Sequence, residues 1–347
     1  MEVNHPVWKD YIKLNLLGSS AFGTVYKAKS KQNDKIVIVK EYSKFQKDIN
    51  EVYQNEIKNL ETLKSDNTIN YIKNCETDEN YYIIRDYYWG TLEEFVKVHP
   101  KGVPPKEIQK ILLDLSNAFK KLNEKQYIHR EIQPSNILLS LNVKNGYKAI
   151  LSGIHLAKKF TQVDYYSLRG MRYITPPEAI RGDTFNMKYD LWSVGILIYF
   201  MIKGKYPFDG KRDIVVLNQI QNGVKLDISD DIDLNDLLKK TLVENVDQRI
   251  SWDSFFQHPF LKKQFPGNNN NSENNCEILD LKIKWKNFTN DFNTKKKEIL
   301  NDLLQYKRII DNLNMDDIYN EYNENIFKIL RDIIKYYDEI INKQIFD

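Results

Sequence analysis

The stretch from Tyr127 to Ser140, YIHREIQPSNILLS, constrains this chain more than any other. An apolar pair, Tyr127 and Ile128, leads straight into His129, Arg130 and Glu131. Pro134 has a fixed φ and no backbone N–H, so it forces a turn. Asn136 follows, and Ile137, Leu138 and Leu139 take the chain back into an apolar core. A compact set of polar groups is thus held between two buried runs.

Composition narrows what can surround that loop. At 347 residues, and with ~150 residues per domain as a guide, two or three folding units are expected. Hydrophobic residues make up 41% of the chain, enough for a large core. The net charge is only +3, with 51 Lys and Arg against 48 Asp and Glu, which gives no support for a nucleic-acid partner. Cys75 and Cys276 are the only cysteines and lie far apart. A disulfide framework or metal site is not expected, and a reducing, cytoplasmic setting is. No window approaches ~18 uninterrupted apolar residues, so no membrane anchor is expected.

The loop resembles the catalytic loop of the protein kinase superfamily, H-R-D-x-K-P-x-N followed by an apolar strand. His129, Arg130, Pro134 and Asn136 stand at the family spacing, whereas Glu131 replaces its catalytic Asp and Gln133 its Lys. Further motifs agree. Leu14 to Lys40 resembles the glycine-rich loop and the strand that ends in the nucleotide lysine. Gly18, Gly23 and Val25 match that pattern, and Ser20 takes the place of the second glycine. The resemblance implies a nucleotide site formed by Leu17, Gly18, Ser19, Ser20, Ala21, Phe22, Gly23, Thr24 and Val25, with Lys40 paired to Glu56. Ile57, Leu60 and Leu63 have helical spacing around Glu56, over Gln54 to Leu63.

The scaffold motifs of the large lobe are complete. Asp190-Leu-Trp-Ser-Val-Gly195 matches D-x-W-S-x-G, and Glu178 matches the end of A-P-E. Arg249 stands where the family has a buried partner for Glu178, and His258-Pro259-Phe260 closes the domain. His129, Arg130, Glu178, Asp190 and Arg249 are therefore read as structural. Lys106 to Asn123 reads as the long amphipathic helix before the catalytic loop. Thr91 with Glu94 reads as a capping box. The expected fold is α+β: a bilobal kinase fold over 11–261, with a β-rich small lobe to about 86 and a helical large lobe after it.

Other positions depart from the family. Gly153-Ile154-His155 aligns with D-F-G, so the metal-holding Asp becomes a residue with no ligand atom. Met171 replaces the Thr of the activation segment. Ile38 stands where a small Ala lies against adenine, and overpacking of this kind costs ~1–3 kcal/mol. Arg85 takes the gatekeeper position, where its guanidinium must find a carboxylate such as Glu56 or reach into the nucleotide site. On this reading both residues crowd the slot, and smaller apolar residues there should raise nucleotide affinity. His155, with no second His or Cys near it in sequence, reads as structural.

The phrasing is most similar to that of the inositol-requiring unfolded-protein sensor kinases and ribonuclease L, in which a helical ribonuclease domain follows the kinase-like one. Here an Asn-rich linker over 262–277 precedes a helical tail over 278–347. Ile299, Leu303, Tyr306, Ile310 and Leu313 form one heptad-like seam; Tyr322, Ile326, Ile329, Ile333, Tyr336 and Ile340 form another. The last histidine is His258, so the tail lacks the His that the ribonuclease branch uses, and RNA cleavage is not expected.

Phosphoryl transfer is mainly positioning and neutralisation of charge by metal. Ser20, Glu131, Gln133, Gly153 and Met171 each alter that apparatus. The longer Glu131 shifts the base, and a ~1 Å shift can cost ~10²-fold. The first expectation is a pseudokinase that acts as a scaffold or allosteric partner, associating with a protein or a second copy through the kinase-like domain or tail. The second is a weak serine/threonine kinase with Glu131 as base and Asp164 or another carboxylate as metal ligand. The third is a switch that binds ATP without catalysis and with little or no use of Mg²⁺. Under all three, Glu131 and Asn136 occupy the catalytic positions, and no residue is assigned as a metal ligand.

Overall fold

The computed structural model describes residues 6–20, 23–88, 90–142, 146–160, 172–184, 186–208 and 212–265. Ala21, Phe22, Asp164, Met171, most of the Asn-rich linker and the whole tail lie outside these residues.

The small lobe is an antiparallel sheet whose strands run in the order β1-β2-β3-β5-β4. The strands are β1 (Tyr11–Ser20), β2 (Gly23–Ser30), β3 (Ile36–Ser43), β4 (Tyr71–Glu76) and β5 (Asn80–Asp86). Side chains alternate between the faces of a strand, and β3 uses both. Val37 and Val39 pack with Val7, Tyr11, Ala28, Tyr82 and Ile84 on one side. Tyr42 joins Ile83, Tyr53 and Leu60 in the main core on the other. Ile38 and Lys40 share the Tyr42 face by the same alternation. Helix α1 (Pro6–Asp10) precedes the sheet, and α2 (Ile49–Thr62) lies between β3 and β4. Helix α2 therefore starts earlier than the expected Gln54.

The large lobe begins with β6 (Gly90–Thr91) and α3 (Leu92–Lys97), where Thr91 and Glu94 form the capping box. Helix α4 (Pro105–Lys125) buries Ile108, Ile111, Leu112, Leu115, Phe119 and Leu122. It leads through β7 (Tyr127–Ile128) to the hairpin of β8 (Ile137–Asn142) and β9 (Gly146–Leu151), with β10 (Lys158–Lys159) paired back on β7. Helices α5 (Pro177–Arg181), α6 (Tyr189–Lys203), α7 (Asp213–Gln221), α8 (Ile232–Thr241), α9 (Trp252–Phe256) and α10 (Pro259–Lys262) complete the lobe. Helix α6 is apolar all round, as a helix at the centre of a core must be. The bilobal α+β expectation is met.

The two lobes are stitched by polar groups. Ile69 donates to the Leu151 carbonyl (2.9 Å), Leu151 donates to the Asn67 carbonyl (2.8 Å), and the Asn67 amide donates to the Ala149 carbonyl (2.9 Å). At the far end Gln109 donates to the carbonyls of Phe260 and Lys263, so the chain stays on the domain past α10.

Arg249 is the polar keystone of the large lobe. Its guanidinium is fully buried and donates to both oxygens of Glu178, at 2.8 and 2.9 Å, and to the Val243 and Lys188 carbonyls. Removing one partner of such a pair strands a buried charge, which costs ~3–5 kcal/mol. Arg249→Ala is therefore expected to lose about that much unfolding free energy in denaturant titration; a loss under ~1 kcal/mol would show that the pair does not hold the lobe.

Candidate functional site: a kinase-type cleft with altered charges

The polar loop is set by one buried carboxylate. Asp190, in the first turn of α6, accepts the backbone N–H groups of His129 (2.7 Å) and Arg130 (3.0 Å). Burial raises its pKa to about 6, against the pull of those two donors. Arg130 takes a left-handed backbone conformation there, with φ of 69°. Its side chain donates through Nε to the Leu156 carbonyl (2.7 Å). The ring of His129 is fixed on both sides: Nδ1 accepts from the Glu131 N–H (3.2 Å), and Nε2 meets the Ser152 carbonyl (2.9 Å). A carbonyl only accepts, so Nε2 carries the proton. Burial, the main cause, lowers the His129 pKa to about 3.

Glu131 is the residue this frame presents to the cleft. Gln133 donates to its Oε1 (3.3 Å), and the amide of Asn136 donates to its backbone carbonyl (2.9 Å). Burial raises the Glu131 pKa, partly offset by Asn136 and Lys40. His155 lies 3.9 Å away, Nε2 to Oε2. It is mostly buried, and burial followed by the charge of Lys40 lowers its pKa to about 4. The structure therefore brings His155 against Glu131, a pairing that no sequence spacing suggests. Gly153 has φ of +78°, and a Cβ there would lie 2.5 Å from Asn136 Nδ2 and 2.6 Å from its Cγ. Asn136 thus fills the space beside Gly153, and the described residues there do not fit a divalent metal. Among the described residues no group of three or more His, Cys, Asp or Glu is placed to hold one.

Across the cleft, Lys40 Nζ pairs with Glu56 Oε2 at 2.8 Å, both side chains buried. Tyr42 also donates to that oxygen. Burial pushes the Glu56 carboxyl up, but Lys40, His155 and the two hydrogen bonds outweigh it and lower the pKa to about 2. Asn59, one turn beyond Glu56, donates to the carbonyls of Ile154 (2.9 Å) and Ala157 (2.8 Å), locking α2 to the turn after Gly153. Neither Tyr42 nor Asn59 was singled out from sequence. A polar residue three after Glu56 on the same helical face was the available signal for Asn59.

The sequence reading leaves Arg85 two places to go, a carboxylate such as Glu56 or the nucleotide site. The first is closed at Glu56, which is taken by Lys40 and Tyr42. Arg85 pairs in register with Ile38, which is buried. Its Nε is shielded from solvent and has no hydrogen-bond partner among the described residues.

The turn between β1 and β2 brings Ser20 opposite Gly23, Ser19 opposite Thr24 and Gly18 opposite Val25. Gly23 has φ of +143°, and a Cβ there would meet the Glu41 carbonyl oxygen at 2.4 Å, so only glycine fits. Gly18 has open space around it, and Leu17 is exposed.

The protein kinase domain model matches residues 11–261. This chain belongs to the protein kinase family. The serine/threonine-protein kinase atg1 of Dictyostelium discoideum is 32% identical over 277 residues, covering 76% of this chain and 40% of that protein. The serine/threonine-protein kinase ULK3 of Xenopus laevis is 31% identical over 270 residues, 74% of this chain and 56% of that protein. The serine/threonine-protein kinase ATG1a of Arabidopsis thaliana is 28% identical over 271 residues, 73% of this chain and 42% of that protein. The chain spans between 40% and 56% of these relatives' lengths. They support the superfamily and not the inositol-requiring branch. No helix among the described residues is long and apolar enough to cross a membrane.

Two outcomes follow from this geometry. Gly153→Asp would put a Cβ in left-handed backbone and push Asn136 off the Glu131 carbonyl. The variant is expected to melt lower than the parent and to gain no Mg²⁺-dependent stabilisation by ATP; a clear Mg²⁺-dependent gain in Tm would contradict this. The second outcome concerns pH. His129 and His155 stay neutral in the folded chain to about pH 3 and 4, while unfolded histidine protonates near ~6.5. The unfolded state binds more protons in that window, so both histidines make stability fall as pH drops below ~6.5. Asp190 and Glu131, both raised, act in the opposite sense at the lower end. Around His155 stand Lys40, Glu56, Arg85, Arg130 and Glu131. His155→Gln should lose less unfolding free energy than the parent between pH 7 and 5 in denaturant titrations, and an equal loss would refute the assignment.

Proposed function

We propose that this chain is a pseudokinase: a protein kinase domain that transfers phosphate weakly or not at all and acts as a scaffold or allosteric partner in signalling. The observation that carries the reading is the pair Gly153 and Asn136. The family's metal ligand is absent at one, and the side chain of the other occupies the space where its Cβ would begin. Gln133 adds to it, because a neutral amide now contacts Glu131 where the family has a lysine. Transfer without metal neutralisation of the phosphates lacks its main source of catalysis. We place the protein in the cytoplasm on its cysteine usage, with a protein partner or a second copy engaging the kinase domain or the tail.

ATP remains the candidate ligand of the cleft. The kinase family binds ATP generally, and here the Lys40–Glu56 pair and the Gly23 turn are in place. Lys40 would meet phosphates, and the β1–β2 turn would cover them. When bound, ATP supplies the transferable phosphoryl group.

One observation favours a second reading, a weak serine/threonine kinase with Glu131 as base. Glu131 keeps a carboxylate in the cleft, and burial moves its pKa up toward the range of a working base. Phosphotransfer from labelled ATP by the full chain, with Mg²⁺ or Mn²⁺, separates the two. The pseudokinase reading expects incorporation no higher than that of Lys40→Met. Metal-dependent incorporation that Glu131→Gln abolishes would overturn it in favour of the weak kinase.

A further inference from the structure

Arg85 stands near the end of β5 on the face that carries Ile83, opposite Ile38 and diagonal to Lys40 of β3. Diagonal cross-strand neighbours lie about 7–8 Å apart, within reach of long side chains. A guanidinium is always protonated and offers five donors in a fixed fork. No described carboxylate pairs with this one. Glu56 belongs to Lys40 and Tyr42, and the neighbouring Asp86 to Lys35 (2.7 Å) and Asn70 (3.0 Å). Its Nε is sealed from solvent without a partner. Arg85 as a whole is only partly buried, but its sealed, unpaired donor is satisfied if a ligand supplies an acceptor there.

The surrounding groups define the partner's sign. After burial itself, Lys40 keeps His155 neutral, and Arg85 adds to that effect. Glu131 faces Gln133 and His155. Lys40 and Glu56 neutralise each other. Among the described residues, Arg85 is a cation on this face of the cleft with no carboxylate paired to it. A guanidinium suits phosphate, which it can bind through two parallel hydrogen bonds.

We propose that the cleft is a metal-independent polyphosphate site. Arg85, beside Lys40, supplies there the positive charge that a divalent cation would otherwise bring to the phosphates of a nucleoside triphosphate. This rests on the reading above that the cleft does not hold a metal. It also reverses the sign expected from sequence, where Arg85 figured as an obstacle to nucleotide.

The test is isothermal titration of the full chain, in EDTA and separately in Mg²⁺, with ATP, adenosine and inorganic tripolyphosphate as probes. Wild type should bind ATP in EDTA with little change on adding Mg²⁺. Arg85→Met should weaken ATP binding in EDTA at least tenfold and leave adenosine within about twofold, with Arg85→Lys in between. Tripolyphosphate binding that disappears in Arg85→Met would support a site that reads phosphate alone. ATP binding that Arg85→Met leaves equal or tighter overturns the inference, and so does the absence of ATP binding by wild type in EDTA. Arg85→Gln serves the same purpose if the Met variant does not fold, as judged from its unliganded Tm. The two readings fail differently. ATP binding that requires Mg²⁺ contradicts the metal-free premise itself, whereas metal-free binding indifferent to residue 85 contradicts only the role of Arg85.

Discussion

The carboxylate of Asp190 is the constraint on which the rest of the cleft depends. It is buried at the start of a helix that is itself the centre of the large lobe, and it holds two consecutive N–H groups of the polar loop. Those two hydrogen bonds hold Arg130 in its left-handed conformation. The turn that follows aims Glu131 at the cleft and places Asn136 beside Gly153. His129 then ties the loop to Ser152, just before the glycine. One side chain thus sets the position of two of the segments in which the chain departs from its family.

The frame is that of the family, and the residues inside it differ from the family's pattern. The described residues keep the Lys40–Glu56 pair, α2 tied by Asn59 to the turn after Gly153, the lobe stitching at Asn67, and Arg249 on Glu178. The charges inside it are rearranged. A carboxylate is missing at Gly153, a lysine at Gln133, and a guanidinium has been added at Arg85. Protein interiors tolerate such changes only where charges still find partners or a ligand completes them. Glu131 found Gln133 and His155, whereas Arg85 found no carboxylate among the described residues.

Much of this was legible in the sequence because it lies in local pattern. The strand through Lys40 and the capping box at Thr91 follow from local residue pattern, and the scaffold residues follow from the resemblance to the kinase family. What was missed lies in tertiary register. Helix α2 starts at Ile49, and its buried face runs Ile49, Tyr53, Glu56, Asn59 and Leu60, so the polar Glu56 and Asn59 interrupt the apolar stripe. Tyr42 reaches Glu56 because both sit beneath the same sheet face, which no local pattern encodes. The contact of His155 with Glu131 joins residues from two separate loops. For Arg85 the sequence leaves a carboxylate and the nucleotide site both open, and only the tertiary pairing of Glu56 with Lys40 and Tyr42 closes that carboxylate to it.

On the proposed reading, a kinase frame here encloses a cleft that does not hold a divalent metal. Water-proton relaxation with Mn²⁺ measures that most directly, since a protein-held Mn²⁺ tumbles slowly and enhances relaxation well beyond free Mn²⁺ or Mn²⁺–ATP. The full chain titrated with Mn²⁺, with and without ATP, should show no enhancement above the protein-free controls. A saturable enhancement that appears with ATP and is lost in Asn136→Ala would contradict the account.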